Sequence, residues 1–151
     1  MANTYTQIYI QVVFSVRRRR RLIDPAWQER INKYIAGIIK NLGHIPLMIN
    51  GVEDHIHIFL IYKPSQSLSD LVRTIKTNSN IFIKTEYPTV KNTFAWQEGF
   101  GAFSYHPDLS DNVIRYIERQ QEHHKRTSFE QEYREFMREY EIDFDEKYLL
   151  G

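Results

Sequence analysis

Hydrophobic positions along this chain fall into two periods, and the switches between them mark the elements. Tyr5 to Val16 (YTQIYIQVVFSV) is dense in β-branched and aromatic residues and reads as a strand. The five arginines Arg17, Arg18, Arg19, Arg20 and Arg21 follow as a loop. Asp24-Pro25 opens a helix, an N-cap followed by a proline whose missing N–H would be unpaired there anyway. Trp27, Ile31, Tyr34, Ile35, Ile38 and Leu42 keep helical spacing, and Gly43 suits the C-terminal cap. His44 to Asn50 reads as a second strand, and Pro46 assigns it to a sheet edge because proline cannot donate to a neighbour. Asn50-Gly51 reads as a turn. His55 to Tyr62 (HIHIFLIY), apolar on both faces except at its histidines, reads as a central strand.

Ser67 to Asp70 resembles a capping box, and Leu68, Leu71, Val72, Ile75 and Phe82 continue at roughly helical spacing until Tyr87-Pro88. Phe94 to Tyr105 (FAWQEGFGAFSY) reads as a glycine-punctuated loop leading into a fourth strand. Ser110 is placed to cap a helix through Val113, Ile114 and Ile117 toward Lys125. Ser128 with Gln131 is a second capping-box pattern, opening a helix through Phe129, Tyr133, Phe136, Met137 and Tyr140, before an acidic tail. The first six elements run β-α-β-β-α-β, which predicts an α+β, ferredoxin-like (RRM-like) sheet with helices on one face. The C-terminal helices are added to it. A single domain over 1–151 is expected, with a core at 5–105 and a helical region at 110–141.

Composition narrows the chemistry. With no cysteine, disulfides and thiolate metal sites are excluded. The opening residues carry no secretory pattern and the longest apolar run is too short to span a bilayer, so a cytoplasmic protein is expected. The net charge of +1 conceals an asymmetry: residues 1–91 hold 13 Lys+Arg against 6 Asp+Glu, and residues 92–151 hold 7 against 13. The basic half suits phosphate, or a solvated surface.

Two patterns carry candidate chemistry. Alternation along a strand puts His55 and His57 on one face, their Cα atoms roughly 6.5–7 Å apart, where two imidazoles can converge on one ion. Tyr116 and Gln120, four residues apart on the predicted helix, share a face away from Ile114 and Ile117. A divalent ion offsets phosphodiester charge, and a tyrosine can attack phosphorus to form an ester that stores the bond for rejoining. No G-x-x-x-x-G-K-[ST] loop occurs, and no nucleotide cofactor is required.

The segment Gly51-Val52-Glu53-Asp54-His55-Ile56-His57-Ile58-Phe59 resembles the His-hydrophobe-His motif of HUH nucleases. With the strand Ile8 to Phe14, the stretch Trp96 to Ser104 and the helix Tyr116-Ile117-Glu118-Arg119-Gln120, the chain resembles single-tyrosine TnpA-type transposases of the insertion-sequence 200/605 group, or their repeat-associated relatives. The resemblance implies a bacterial or archaeal, DNA-associated enzyme. His55 and His57 would hold Mg²⁺ or Mn²⁺, with Gln120 as third ligand, and Tyr116 would cleave single-stranded DNA with hairpin ends through a 5′-phosphotyrosine. It also implies a homodimer in which the tyrosine helix of one subunit completes the histidine site of the other. Arg17 to Arg21, Lys63, Arg73 and Lys76 are the candidate phosphate contacts, and Tyr105 is the reserve nucleophile. Two other readings stay open: a non-catalytic RRM-like module whose sheet aromatics stack bases, and a metal-dependent phosphodiesterase using water.

Overall fold

The computed structural model describes residues 3–142, so the acidic tail lies outside the described residues. Strands β1 (Ile8–Ser15), β2 (Ile45–Val52), β3 (His55–Tyr62) and β4 (Gly101–Tyr105) form one sheet in the order β2-β3-β1-β4. All neighbours are antiparallel, with β2 at an edge and β3 inside, as the sequence predicts. Helices α1 (Gln28–Asn41) and α2 (Leu68–Glu86) supply the two crossovers, and α3 (Ser110–Glu118), α4 (Gln120–His123) and α5 (Phe129–Glu139) follow β4. No helix among the described residues is long and apolar enough to cross a membrane.

Register divides the sheet into two chemically different faces. Ile10, Val12 and Phe14 stand opposite Leu60, Ile58 and Ile56, and this all-apolar face packs on Ile31, Ile35 and Ile39 of α1 and Leu71, Val72 and Ile75 of α2. Each such side chain stabilises the fold by about 1.5–3 kcal/mol when fully buried. On the other face Gln11, Val13 and Ser15 stand opposite Phe59, His57 and His55. Here α3 lays Val113 and Ile117 on Phe59, while α5 lays Phe129, Tyr133, Phe136 and Met137 over Val13 and Phe103. Phe59 is 0% and Phe103 2% exposed, so these aromatics lie under helices and offer no open base-stacking platform of the RRM kind.

Three local expectations are corrected. Asn50-Gly51 is not the turn: β2 runs on to Val52, and Glu53-Asp54 makes the reversal. Glycine is required at 51 for a different reason, since a Cβ there would sit 2.3 Å from the carbonyl oxygen of His55. Ser110 lies inside α3 rather than capping it. The preceding turn, Pro107–Leu109, is capped by the His106 side chain, which accepts from the Asp108 N–H. The helix carrying Tyr116 does not continue to Lys125. Its terminal carbonyls at Ile117 and Glu118 accept from the side-chain amide of Asn50 on β2 (3.0 and 3.2 Å), and Arg119 leaves helical geometry at φ −96°, ψ 20°. The Gln121 side chain closes the seam by donating to Asn50 Oδ1 (2.8 Å) and the Gly51 carbonyl (3.0 Å).

Gly51→Ala is expected to destabilise the protein by roughly 2 kcal/mol or more, because backbone rather than a mobile side chain must yield. Urea unfolding measures it, and a change within about 0.5 kcal/mol would refute the close-approach account.

Candidate metal and nucleophile site

The two motif histidines are completely buried, 0% exposed, with ring centroids 5.2 Å apart. Each ring is anchored through Nδ1: His55 to Asp54 Oδ1 at 2.7 Å, and His57 to Gln11 Oε1 at 2.6 Å. Those acceptors hold the Nδ1–H, which turns Nε2 of both rings toward a common point, as in metal-ligating histidines generally. Gln11 is itself steadied by donating to the Tyr105 hydroxyl at 2.9 Å.

At the common point stands Glu132. The Ser128–Gln131 capping box, formed as the sequence predicts, starts α5 and puts Glu132 in its first turn, facing the sheet. Gly101 lets the helix come down, since a Cβ there would lie 2.7 Å from the Tyr133 ring. Glu132 is 2% exposed, and its Oε1 lies 2.9 Å from His57 Nε2, 3.4 Å from His55 Nε2 and 3.2 Å from His124 Nε2. The other oxygen accepts from the Tyr116 hydroxyl and from Gln120 Nε2 (3.2 Å). The Tyr116 ring lies 5.9 Å from that of His57 within the same chain. Gln120 is fully buried, and its Oε1 stands 3.1 Å from His55 Nε2. Across the interruption at Arg119, Tyr116 and Gln120 still meet the same carboxylate.

Ligand atoms of His55, His57, His124 and Glu132 all fall within 4.8 Å of one another. Donors about 2.0–2.2 Å from a shared ion stand roughly 3 Å apart, so this set fits a divalent cation after small adjustments. Three imidazoles and a carboxylate suit a divalent transition-metal ion better than Mg²⁺, which prefers oxygen.

Charges in the cluster are interlocked. Burial opposes protonation of His55, yet hydrogen bonds to Asp54 and Glu132 prevail and raise it to about 9. Burial dominates at His57 and lowers its pKa below the usual imidazole range, against the opposing pull of the Glu132 carboxylate. Burial also works against an ionised Glu132, but the surrounding imidazoles outweigh it and keep the carboxylate far below its ordinary range. Tyr116 is pushed up strongly, first by burial and then by the charge of Glu132, so its hydroxyl is firmly protonated.

The expected phosphate contacts scatter. Arg17 shares a cavity with Lys76 on one side of the arginine turn, whereas Arg18, Arg19 and Arg21 line another cavity beside His124. Arg19 pairs with Glu130 (3.5 Å) and Arg21 with Glu53 (3.0 Å), and Arg20 is exposed. Lys63 follows the end of β3 remote from His55. Arg73 and Lys76 belong to α2, behind the sheet. Arg73 pairs with Asp70 at 2.8 Å. The ammonium of Lys76, lowered to about 8 by burial, binds the carbonyls of Gln97 and Gly99 (2.8 and 2.6 Å), a structural task. Tyr105 is held protonated by burial and accepts from Gln11.

Sequence reasoning passed over His124, Glu132 and Gln11. Glu132 had a signal: it falls in the apolar stripe of α5 between Phe129 and Phe136, where a charged residue needs a partner. Gln11 is likewise the polar interruption of an apolar strand. His124 had none, being brought in by the irregular chain after α4.

An antiparallel four-stranded sheet presenting paired histidines to a tyrosine-bearing helix is the layout of a HUH-type protein. The family model "Transposase IS200 like" matches residues 4–120, and the chain belongs to this single-tyrosine transposase family. Among solved structures, a protein assigned as a transposase from Deinococcus radiodurans R1 is 15% identical, with TM-score 0.64, covering 80% of this chain and 96% of that one. A REP-associated tyrosine transposase bound to a REP hairpin is 16% identical, with TM-score 0.57, covering 82% and 73%. No curated sequence matches significantly. The family match includes His55, His57, Tyr116 and Gln120, whereas His124 and Glu132 lie beyond it.

An ion binding through Nε2 must displace the proton that raises His55 to about 9. Mn²⁺ affinity is therefore expected to rise about tenfold per pH unit from pH 7 until it levels near 9, with roughly one proton released, as calorimetry in buffers of differing ionisation enthalpy would show. Without metal the sign reverses. A raised folded-state pKa stabilises fully below the unfolded value of 6.5 and is lost through about 9, so thermal stability in chelator should fall across that window. Affinity independent of pH would contradict a protonated His55.

Proposed function

We propose that this protein is a transposase that cleaves and rejoins single-stranded DNA through a covalent 5′-phosphotyrosine on Tyr116. The observation that carries the reading is the convergence of Tyr116, His55 and His57 on one buried carboxylate in a member of a tyrosine transposase family. His55, His57, His124 and Glu132 would hold the divalent ion, Mn²⁺ in preference to Mg²⁺, with the Gln120 amide oxygen in reach as a further ligand. A bound ion supplies Lewis acidity to the scissile phosphate and offsets the charge of Glu132.

The chain's own residues then account for the rest. Glu132 holds the Tyr116 hydroxyl in a resting position, and the phosphate enters beside it, where a cavity of about 290 Å³ opens onto Gln11, Tyr105, Tyr116 and Glu132. The tyrosine oxygen bonds to phosphorus as the P–O3′ bond breaks. The phenolic proton leaves, the departing 3′ oxygen gains one, and the phosphodiester is conserved without a nucleotide cofactor. Hairpin-bearing strands are the proposed substrate, a reading supported by the hairpin bound to the similar REP-associated transposase. Pairing of two subunits with exchanged tyrosine helices belongs to the proposal as an arrangement to be tested, because one chain already brings Tyr116 beside His57.

With hairpin-bearing single-stranded DNA and Mn²⁺, the parent should give a covalent protein–DNA band that Tyr116→Phe abolishes. His57→Ala should reduce it by about 10²-fold or more. Cleavage surviving in Tyr116→Phe would replace the tyrosine mechanism with hydrolysis by water. Mixing Tyr116→Phe with His57→Ala tests the exchange: recovered activity means the helix crosses between subunits, and none means each chain uses its own tyrosine.

A further inference from the structure

Tyr116 and His124 each border a cavity, and the two cavities share lining residues. The first, of about 510 Å³, is lined by Tyr116, His123, Arg115, Arg119 and Arg126, with Glu122 the one carboxylate among its lining residues. The second, of about 530 Å³, is lined by His124, Arg18, Arg19, Arg21, Lys125 and Arg126 together with the carboxylates of Glu53 and Asp54. Arg126 and Thr127, in the short connection between α4 and α5, belong to both. The two arginine-rich cavities therefore flank that connection, with Tyr116 on one side and the arginine turn on the other.

Their lining has more positive charge than the protein neutralises. Lys125 is matched by Glu122 (3.2 Å), Arg21 by Glu53 (3.0 Å) and Arg19 by Glu130 (3.5 Å). Arg115 bonds only to the neutral amide of Asn112 at 2.6 Å. Arg18, Arg119 and Arg126 form no ion pair with a carboxylate among the described residues, and all three are exposed. The arginine turn is built to face this way. Arg18 and Arg19 both take left-handed backbone (φ 59° and 54°), conformations that L residues adopt at a cost. Reversing the chain there separates Arg17, on the far cavity, from Arg18, Arg19 and Arg21 on this one.

We propose that these two cavities are the path of the DNA strand, whose successive phosphates lie against Arg115, Arg119 and Arg126 beside Tyr116 and continue to Arg18 beside His124. The proposal rests on the strand-cleavage reading above and supplies its substrate path. Flexible, exposed guanidiniums spaced along an open groove fit a repeating phosphate backbone rather than one small anion. They carry no base-reading geometry, so the path should take up single strands regardless of sequence.

The test uses fluorescence anisotropy with labelled oligo-dT of roughly 20 nucleotides across a salt series, on the full chain carrying Tyr116→Phe so that no chemistry intervenes. Arg119→Ala/Arg126→Ala should weaken binding at least tenfold and reduce the slope of log K against log salt by about 1.4, close to 0.7 per phosphate contact. Arg119→Lys/Arg126→Lys should retain most of that slope. The control pair Lys40→Ala/Lys84→Ala, on α1 and α2 behind the sheet, removes the same charge and should change little. Equal losses in both alanine pairs would reduce the effect to net charge and overturn the path. So would an unaltered slope in Arg119→Ala/Arg126→Ala, or no binding of oligo-dT by the parent. The covalent assay separates the two readings. Salt-dependent binding lost in the groove variants, with no adduct from the wild-type chain on any DNA, supports the path while refuting cleavage. An adduct formed equally well by groove variants in the Tyr116 background refutes the path while leaving cleavage standing.

Discussion

An ionised carboxylate can be buried only where protons or positive charge surround it, because desolvation of an isolated charge is prohibitive inside a protein. Glu132 meets that condition through ring nitrogens of His55, His57, His123 and His124, the Tyr116 hydroxyl and the Gln120 amide. Its partners come from β3, α3, α4 and the chain that follows, so one side chain fixes how the C-terminal third sits on the sheet. Removing it would strand four imidazoles and a phenol that now share its two oxygens.

The packing around the cluster serves the same end. Val13, Phe103 and Phe59 make an apolar floor that α3 and α5 cover, leaving in the polar strip of Gln11, His57 and His55 a place where buried polar groups must satisfy one another. Asn50 ties the end of α3 to the sheet edge, and Gly101 lets α5 approach closely. Tyr116, the motif histidines and the carboxylate are therefore set by unrelated contacts that agree on one location. Agreement of this kind gives a site its rigidity.

Much of this was legible in the residues. Periodicity located the strands and long helices, Pro46 marked the edge strand, and alternation placed His55 and His57 together. The failures have physical causes. Asn50-Gly51 looks like a turn because the dipeptide favours one. Here Gly51 answers to the His55 carbonyl, a contact no local rule contains. The break at Arg119 depends on Asn50, 69 positions earlier, and a helix terminus capped from another element has no signature in its own sequence. Glu132 could have been suspected from its place in an apolar stripe, but its partners are set by the docking of α5. The arginine block was seen as basic, while its division between two cavities follows from left-handed backbone at Arg18 and Arg19 that arginine does not ordinarily signal.

The position of α5 also has a thermodynamic reading. His124 and Glu132 are joined by a short stretch of chain, and lifting α5 from the sheet takes the carboxylate with it and loosens the imidazole. Ion binding and helix attachment are then two descriptions of one equilibrium, and each must favour the other by the same factor. An ion present at about a hundred times its dissociation constant would add roughly 2.7 kcal/mol to that attachment. The metal would thus act as a fastener for the C-terminal helix as well as a reagent, and chelation would loosen a piece of architecture in addition to removing a Lewis acid.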